Sequence, residues 1–123
     1  MEHQKLDVYQ ASLQFIALIQ PIQQRFPQGR GGLADQLSRA ALSISLNIAE
    51  GAGEFAPNEK ARFYRIARRS AAECAAVLDV ACVLGLTRDA DVEPGREILT
   101  RIFAMLTKMA KNHEGTPKKS GPA

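Results

Sequence analysis

The sequence predicts an all-α domain, an antiparallel up-down-up-down four-helix bundle that associates with copies of itself. Three observations carry this expectation. The 123 residues are 46% hydrophobic but only 6% aromatic, with no Trp, while helix-forming Ala, Leu and Gln abound. Apolar residues recur at three- and four-residue steps in four segments separated by Gly and Pro. The second of those segments is apolar on two faces, one more than a bundle of its own can cover.

The first helix is expected over 5–25. Leu6, Tyr9, Leu13, Ile16 and Ile19 or Gln20 form its main apolar stripe, with Val8, Phe15, Leu18 and Ile22 as a flanking one. Pro21 removes the bond to Ala17, which predicts a kink or short break there. Phe26-Pro27 ends the segment, because a residue before proline avoids helical geometry, and Gln28–Gly32 reads as a flexible turn. The second helix is expected over 33–52. Leu37, Ala41, Ile44 and Ile48 lie on one face and Leu42, Leu46 and Ala49 on another, with Arg39, Ser43, Asn47, Glu50 and Glu54 as a polar line between. Gly51 and Gly53 suit a left-handed helix end.

The third helix, 57–84, begins with Pro57 at its first position and Glu59 in its first turn, where negative charge suits the dipole; the cap would be Ala56. Phe63, Ile66, Ala67, Ser70, Cys74, Val77, Leu78, Ala81 and Leu84 mark its apolar stripe, and Gly85 stops it. The fourth helix is placed over 94–111, starting at Pro94, with Ile98, Leu99, Ile102, Phe103, Met105, Leu106, Met109 and Ala110 as a wide apolar face. The bundle domain thus spans 1–112. Residues 113–123, a tail of Gly, Pro, Lys and Ser, are expected to be disordered. Four helices with short connections pack antiparallel to their neighbours.

Catalysis finds little to work with. Cys74 and Cys82, eight residues apart on one helix, are separated by roughly 12 Å, too far to pair within the chain, and read as buried thiols suited to a reducing cytoplasm. His3 and His113 lie near the two ends, so no metal cluster or nucleophile–base pair is expected. Gly29-Arg30-Gly31-Gly32 is not a phosphate-loop motif and reads as a turn. Glu50 and Glu73 could approach each other across two helices, but without Glu-x-x-His pairs they read as structural partners of Arg39 or another arginine. No signal peptide is expected, and no apolar run approaches the roughly 20 residues of a membrane span. The expectation is a non-enzyme with no cofactor, metal, small-molecule substrate or membrane role.

The net charge of +3 concentrates usefully. Lys60, Arg62, Arg65, Arg68 and Arg69 crowd the first half of the third helix, and Arg62, Arg65 and Arg69 share one face. Such a face can contact phosphates, or be a solvated surface paired with Glu59 and Glu73. Lys118 and Lys119 would add weak attraction.

The run Gln36-Leu37-Ser38-Arg39-Ala40-Ala41-Leu42-Ser43-Ile44, followed by Asn47-Ile48-Ala49-Glu50-Gly51 and Phe63-Tyr64-Arg65-Ile66-Ala67-Arg68-Arg69-Ser70-Ala71-Ala72-Glu73, resembles the bacterial four-helix-bundle family of large-subunit (23S) rRNA intervening-sequence proteins. The resemblance covers nearly the whole chain except the tail. It implies a ring-like homopentamer, related to the accessory variability protein of diversity-generating retroelements, which binds a reverse transcriptase and nucleic acid through a basic surface. Arg39, Ser43, Asn47, Glu50, Ser70 and Glu73 match the family's polar signature and would serve as interhelical and subunit-interface contacts. Ala56, Glu54 and Arg69 depart from it, standing where serine, a basic residue and glycine are usual. The functional expectation is a cytoplasmic oligomeric scaffold or adaptor that binds RNA or DNA, a reverse transcriptase, or both. Its alternative is a purely protein-binding structural oligomer.

Overall fold

In a computed structural model, which describes residues 2–27 and 32–114, the chain forms four helices and, among those residues, no strand. They are α1 (Glu2–Gln24), α2 (Leu33–Ala52), α3 (Pro57–Val83) and α4 (Asp89–His113). α2 packs on α3, α3 on α4, and α1 on both α2 and α4, so the four helices close around one core. The glycine turn at 28–31 and the tail at 115–123 lie outside the described residues.

α1 reverses the expected order of its stripes. Val8, Phe15, Ile19 and Ile22 are buried, whereas Leu6 and Leu13 face out and Tyr9 and Ile16 are half-covered. The reason is size. Ala11 and Ser12 lie on the Val8–Phe15 side, and their small side chains let α2 come close enough for Ser45 to donate to the Ser12 hydroxyl at 2.8 Å. Ser12 in turn donates to the Tyr9 carbonyl, so this buried polar pair leaves no hydroxyl stranded. The helix runs through Pro21 without a break.

α2 separates its two apolar faces as the spacing predicts. Leu37, Ala41, Ile44 and Ile48 are buried, while Leu42 and Leu46 remain 50% and 55% exposed and Ala49 is exposed too. Its glycines work differently from the expected left-handed stop. Gly53, the C-cap, has a right-handed φ of −86°, and Gly51 is buried inside the helix. A Cβ on Gly51 would stand 2.6 Å from Tyr64 Cε1, so the missing side chain is what admits that ring.

α3 starts at Pro57 behind the uncapped Ala56. Tyr64, rather than Phe63, is its fully buried aromatic. The far end closes through Gly85, whose φ of +75° lets the Leu86 amide donate to the Ala81 carbonyl and the Gly85 amide to Cys82. α4 begins at Asp89, five residues before the expected start, with Pro94 inside it. Asp89 and Asp91 occupy the first turn, where the dipole favours them, and Pro94 falls close enough to that end for the helix to tolerate it.

Candidate functional site

The basic cluster on α3 divides into three kinds of environment. Lys60 turns inward: its ammonium donates to the carbonyls of Gly51 at 3.0 Å and Ala52 at 3.2 Å, closing the end of α2. Arg65 and Arg68 reach across to the α4 side, Arg65 to the Glu114 carboxylate at 3.1 Å and Arg68 to the Thr107 hydroxyl at 3.2 Å. The Arg68 guanidinium also lies over the Phe103 ring, 5.7 Å from its centroid. Arg62 and Arg69 stay on the outer face. Arg62 pairs locally with Glu59 at 3.2 Å and covers its neighbour Phe63, while exposed Arg69 makes no ion pair among the described residues.

The polar signature divides as well. Ser43 and Ser70 share a hydrogen bond at 2.8 Å across α2 and α3, and Asn47 donates to both the carbonyl and the hydroxyl of Ser43. Arg39, Glu50 and Glu73 have no ion-pair partner among the described residues, contrary to the expected carboxylate–arginine pairing. Nor can Glu50 approach Glu73. Glu50 adjoins Gly51, which Lys60 holds, and Glu73 lies a further 13 residues along α3, about 20 Å away at the helical rise.

The thiols and the histidine are placed by packing. Cys74 is buried in the core, and burial pushes its thiol up to about 12, so it stays a neutral thiol. Cys82 is also raised, chiefly by burial, and both cysteines are free. His113 does have a structured neighbour, which spacing alone missed: its ring centroid lies 6.0 Å from that of Tyr64. Burial first, and Lys60 second, lower its pKa from 6.5. Among the described residues, no three His, Cys, Asp or Glu side chains gather closely enough to hold a metal ion, and no helix is long and apolar enough to cross a membrane.

Two surface features stand opposite in character. One is the row of Leu42, Leu46 and Ala49 on α2; at its lower end Leu46 and Ala49, with Glu50, Gly53 and Glu54, line a hollow of about 410 Å³. The other is a groove of about 660 Å³ along the α3–α4 seam, floored by alanines (Ala72, Ala75, Ala76 and Ala104) with Phe103, which is 43% exposed. At one end of the groove Arg96 gathers Asp79 at 3.0 Å, Asp89 at 3.1 Å and Glu93 at 3.5 Å; the Asp79 hydrogen bond leads in keeping it charged. The groove was not anticipated from the sequence. Its available signal was Ala72, Ala75 and Ala76, small side chains at three- and four-residue steps on α3.

The chain is thus a small all-helical bundle whose surface carries an arginine face, an exposed apolar row and an open seam. The family model for the 23S rRNA-intervening sequence protein matches residues 4–108, and the chain belongs to that family. No curated protein matches the chain.

Proposed function

We propose that the protein is a non-enzymatic, homo-oligomeric helical scaffold that presents the outer arginine face of α3 to nucleic-acid phosphate. The observation that carries the scaffold is the row Leu42, Leu46 and Ala49, exposed on a single chain although its residues are core-like in type. Isolated exposed leucines are ordinary, but a row of them on one helix face, with Leu6 and Leu13 also exposed on α1, favours an interaction surface. The bundle is read as up-down-up-down on its cross-helix bonds. Ser12–Ser45 and Gln23–Ala34, Ser43–Ser70 and Lys60–Gly51, and Arg68–Thr107 and Arg96–Asp79 each rise on one helix as they fall on the next. The family likeness adds a ring of five copies to this reading, and the free thiols suit the cytoplasm.

Repetition around an oligomer supports the nucleic-acid arm. One Arg62–Arg69 pair is a weak phosphate site, but several copies add their contacts on one strand without any new bond. The test is RNA or DNA binding by fluorescence anisotropy across a salt series, with the mass of the same sample read by light scattering. The full chain is expected to be several times heavier than one subunit and to bind more weakly as salt rises. Arg62→Glu/Arg69→Glu should keep the mass and lose about tenfold or more in affinity. Unchanged affinity removes the arginine face, and a stable monomer removes the scaffold.

A second reading, a structural oligomer that binds only protein and has no nucleic-acid role, has a specific observation behind it. Lys60, Arg62, Arg65 and Arg68 all have intramolecular partners. It predicts no salt-dependent retention of nucleic acid by the wild-type chain.

A further inference from the structure

We infer that the α2 ridge of one copy seats in the α3–α4 groove of the next, head to tail, with the two bundles side by side and pointing the same way. The inference rests on the scaffold reading above and assigns the two surfaces that would join. The occupant of the groove is a second copy of this chain.

Shape supplies the first argument. The ridge presents Leu42 and Leu46, large side chains that are half exposed, while the groove is a hollow of about 660 Å³ lined by small alanines together with Phe103. One contact would cover both apolar features. A two-fold contact of ridge on ridge would cover only the leucines and leave the groove open.

Charge supplies the second argument, and it also sets the direction. Along α2 the ridge runs from Arg39, which has no ion-pair partner among the described residues, to Glu50 and Glu54. Asp35 lies one turn beyond Arg39 and tempers that end. The groove runs from a carboxylate-rich end, where Asp79, Asp89, Asp91 and Glu93 outnumber Arg96, Arg88 and Arg25, to a basic end with Arg65, Arg68 and exposed Lys108 and Lys111. Glu114 is the one carboxylate recorded at the basic end, paired with Arg65.

The cross-helix bonds relate the two axes. Ser43 meets Ser70 and Arg68 meets Thr107, so the ridge leucines lie near the same height as the alanines and Phe103 of the groove. On the same scale Arg39 lies toward the Asp79 end and Glu50 toward the Lys111 end. With copies aligned in parallel and no axial slip, leucine meets alanine while each ridge end meets the opposite charge. With one copy inverted, Glu50 and Glu54 would meet Asp79 and Glu93. A parallel head-to-tail contact borders Arg69, about one turn before Ala72 on α3, and leaves Arg62 about two turns further from the groove. It closes into a ring when the rotation between copies divides a full turn.

The experiment uses the full chain and two surface variants. Leu42→Glu/Leu46→Glu spoils the ridge, and Ala72→Arg/Ala76→Arg spoils the groove; all four positions are exposed, and circular dichroism checks that both variants fold. Each alone is expected to be monomeric by light scattering. Mixed in equal amounts they should form a heterodimer, because one retains a groove and the other a ridge. A groove variant that still assembles like the wild type, or a mixture that stays monomeric, overturns the pairing while leaving self-association intact. A monomeric wild type overturns the scaffold reading itself. A charge swap gives an independent readout: Glu50→Lys/Glu54→Lys should weaken assembly about tenfold or more, and adding Lys108→Glu/Lys111→Glu to the same chain should restore it. Failure of that restoration overturns the proposed direction.

Discussion

The two long seams of α3 are built in opposite ways. Toward α2 the helix is locked by short groups: the Ser43–Ser70 bond, Asn47 folded onto Ser43, Lys60 on the last α2 carbonyls, and Tyr64 laid over the bare backbone of Gly51. Toward α4 long arginine side chains span the gap, Arg68 to Thr107 and Arg96 to Asp79, with exposed alanines between them. The first seam has satisfied its polar groups and filled its space. The second has satisfied its charges and left space open. A helix pair that is bridged at both ends and empty in the middle is where another element can enter, and this contrast directs attention to the α4 side for assembly.

The sharpest way to break the contrast is to add one methyl group to each seam. In Gly51→Ala the new Cβ would lie 2.6 Å from Tyr64 Cε1 and 2.9 Å from Cδ1, and the ring is too buried to swing away. Overpacking of this kind costs about 1–3 kcal/mol, against about 1 kcal/mol that Ala gains over Gly as a helix former. The clash of a backbone-bound Cβ with a buried ring sits toward the upper part of that range, so Gly51→Ala should lose up to about 2 kcal/mol, several degrees in melting temperature. Ala76→Leu, measured on a Leu42→Glu/Leu46→Glu background in which no second copy occupies the open seam, should stay within about 0.5 kcal/mol. Urea unfolding of both variants checks the pair, and equal losses would mean that the seams are packed alike.

Next in size is the serine contact. Ser43 and Ser70 are half-buried and buried respectively; removing the Ser43 hydroxyl takes away the partner of Ser70, whereas Ser43 without Ser70 keeps its bond from Asn47. Ser43→Ala should cost about 1 kcal/mol. In a double-mutant cycle with Ser70→Ala the second change should then cost less than it does alone. The matching cycle across the open seam, Arg65→Ala with Glu114→Ala, should show a coupling of about 0.5 kcal/mol or less, because both groups are substantially exposed. Coupling as large as that of the serines would contradict the distinction.

Periodicity made the inner face of α2 and most of α3 and α4 legible, because each has one apolar stripe that outweighs the rest. It failed on α1, where two stripes fit a helix equally well. What separates them is the volume of Ala11 and Ser12, a packing property that spacing does not register. Gly51 was misread for a similar reason: glycine ends helices and also admits close neighbours, and only the position of Tyr64 distinguishes the two. Pro94 drew the start of α4 too far along the chain, since a proline near a helix start does not mark its first residue. Of the basic cluster, spacing grouped Arg62, Arg65 and Arg69 on one face, but gave no sign that Arg65 would reach Glu114 or that Lys60 would turn back to cap α2.

The smallest expected effect tests whether the closed seam extends to the end of α4. His113 occupies the last helical turn, where the dipole alone favours a charged imidazole. Its ring, however, is packed near Tyr64, and the Lys60 ammonium lies close enough to oppose a second positive charge; burial and that repulsion together set the pKa below 6.5. The sign follows from proton counting. Between the folded and unfolded pKa values the unfolded chain binds more protons, so stability rises with pH across that window. The contribution is full above 6.5, falls as pH drops through the folded value, and levels off below it. Melting temperature measured against pH should therefore decline more for the wild type than for His113→Gln in this window. Parallel curves would show that the imidazole titrates as it would in water, and that the packing around Tyr64 stops short of α4.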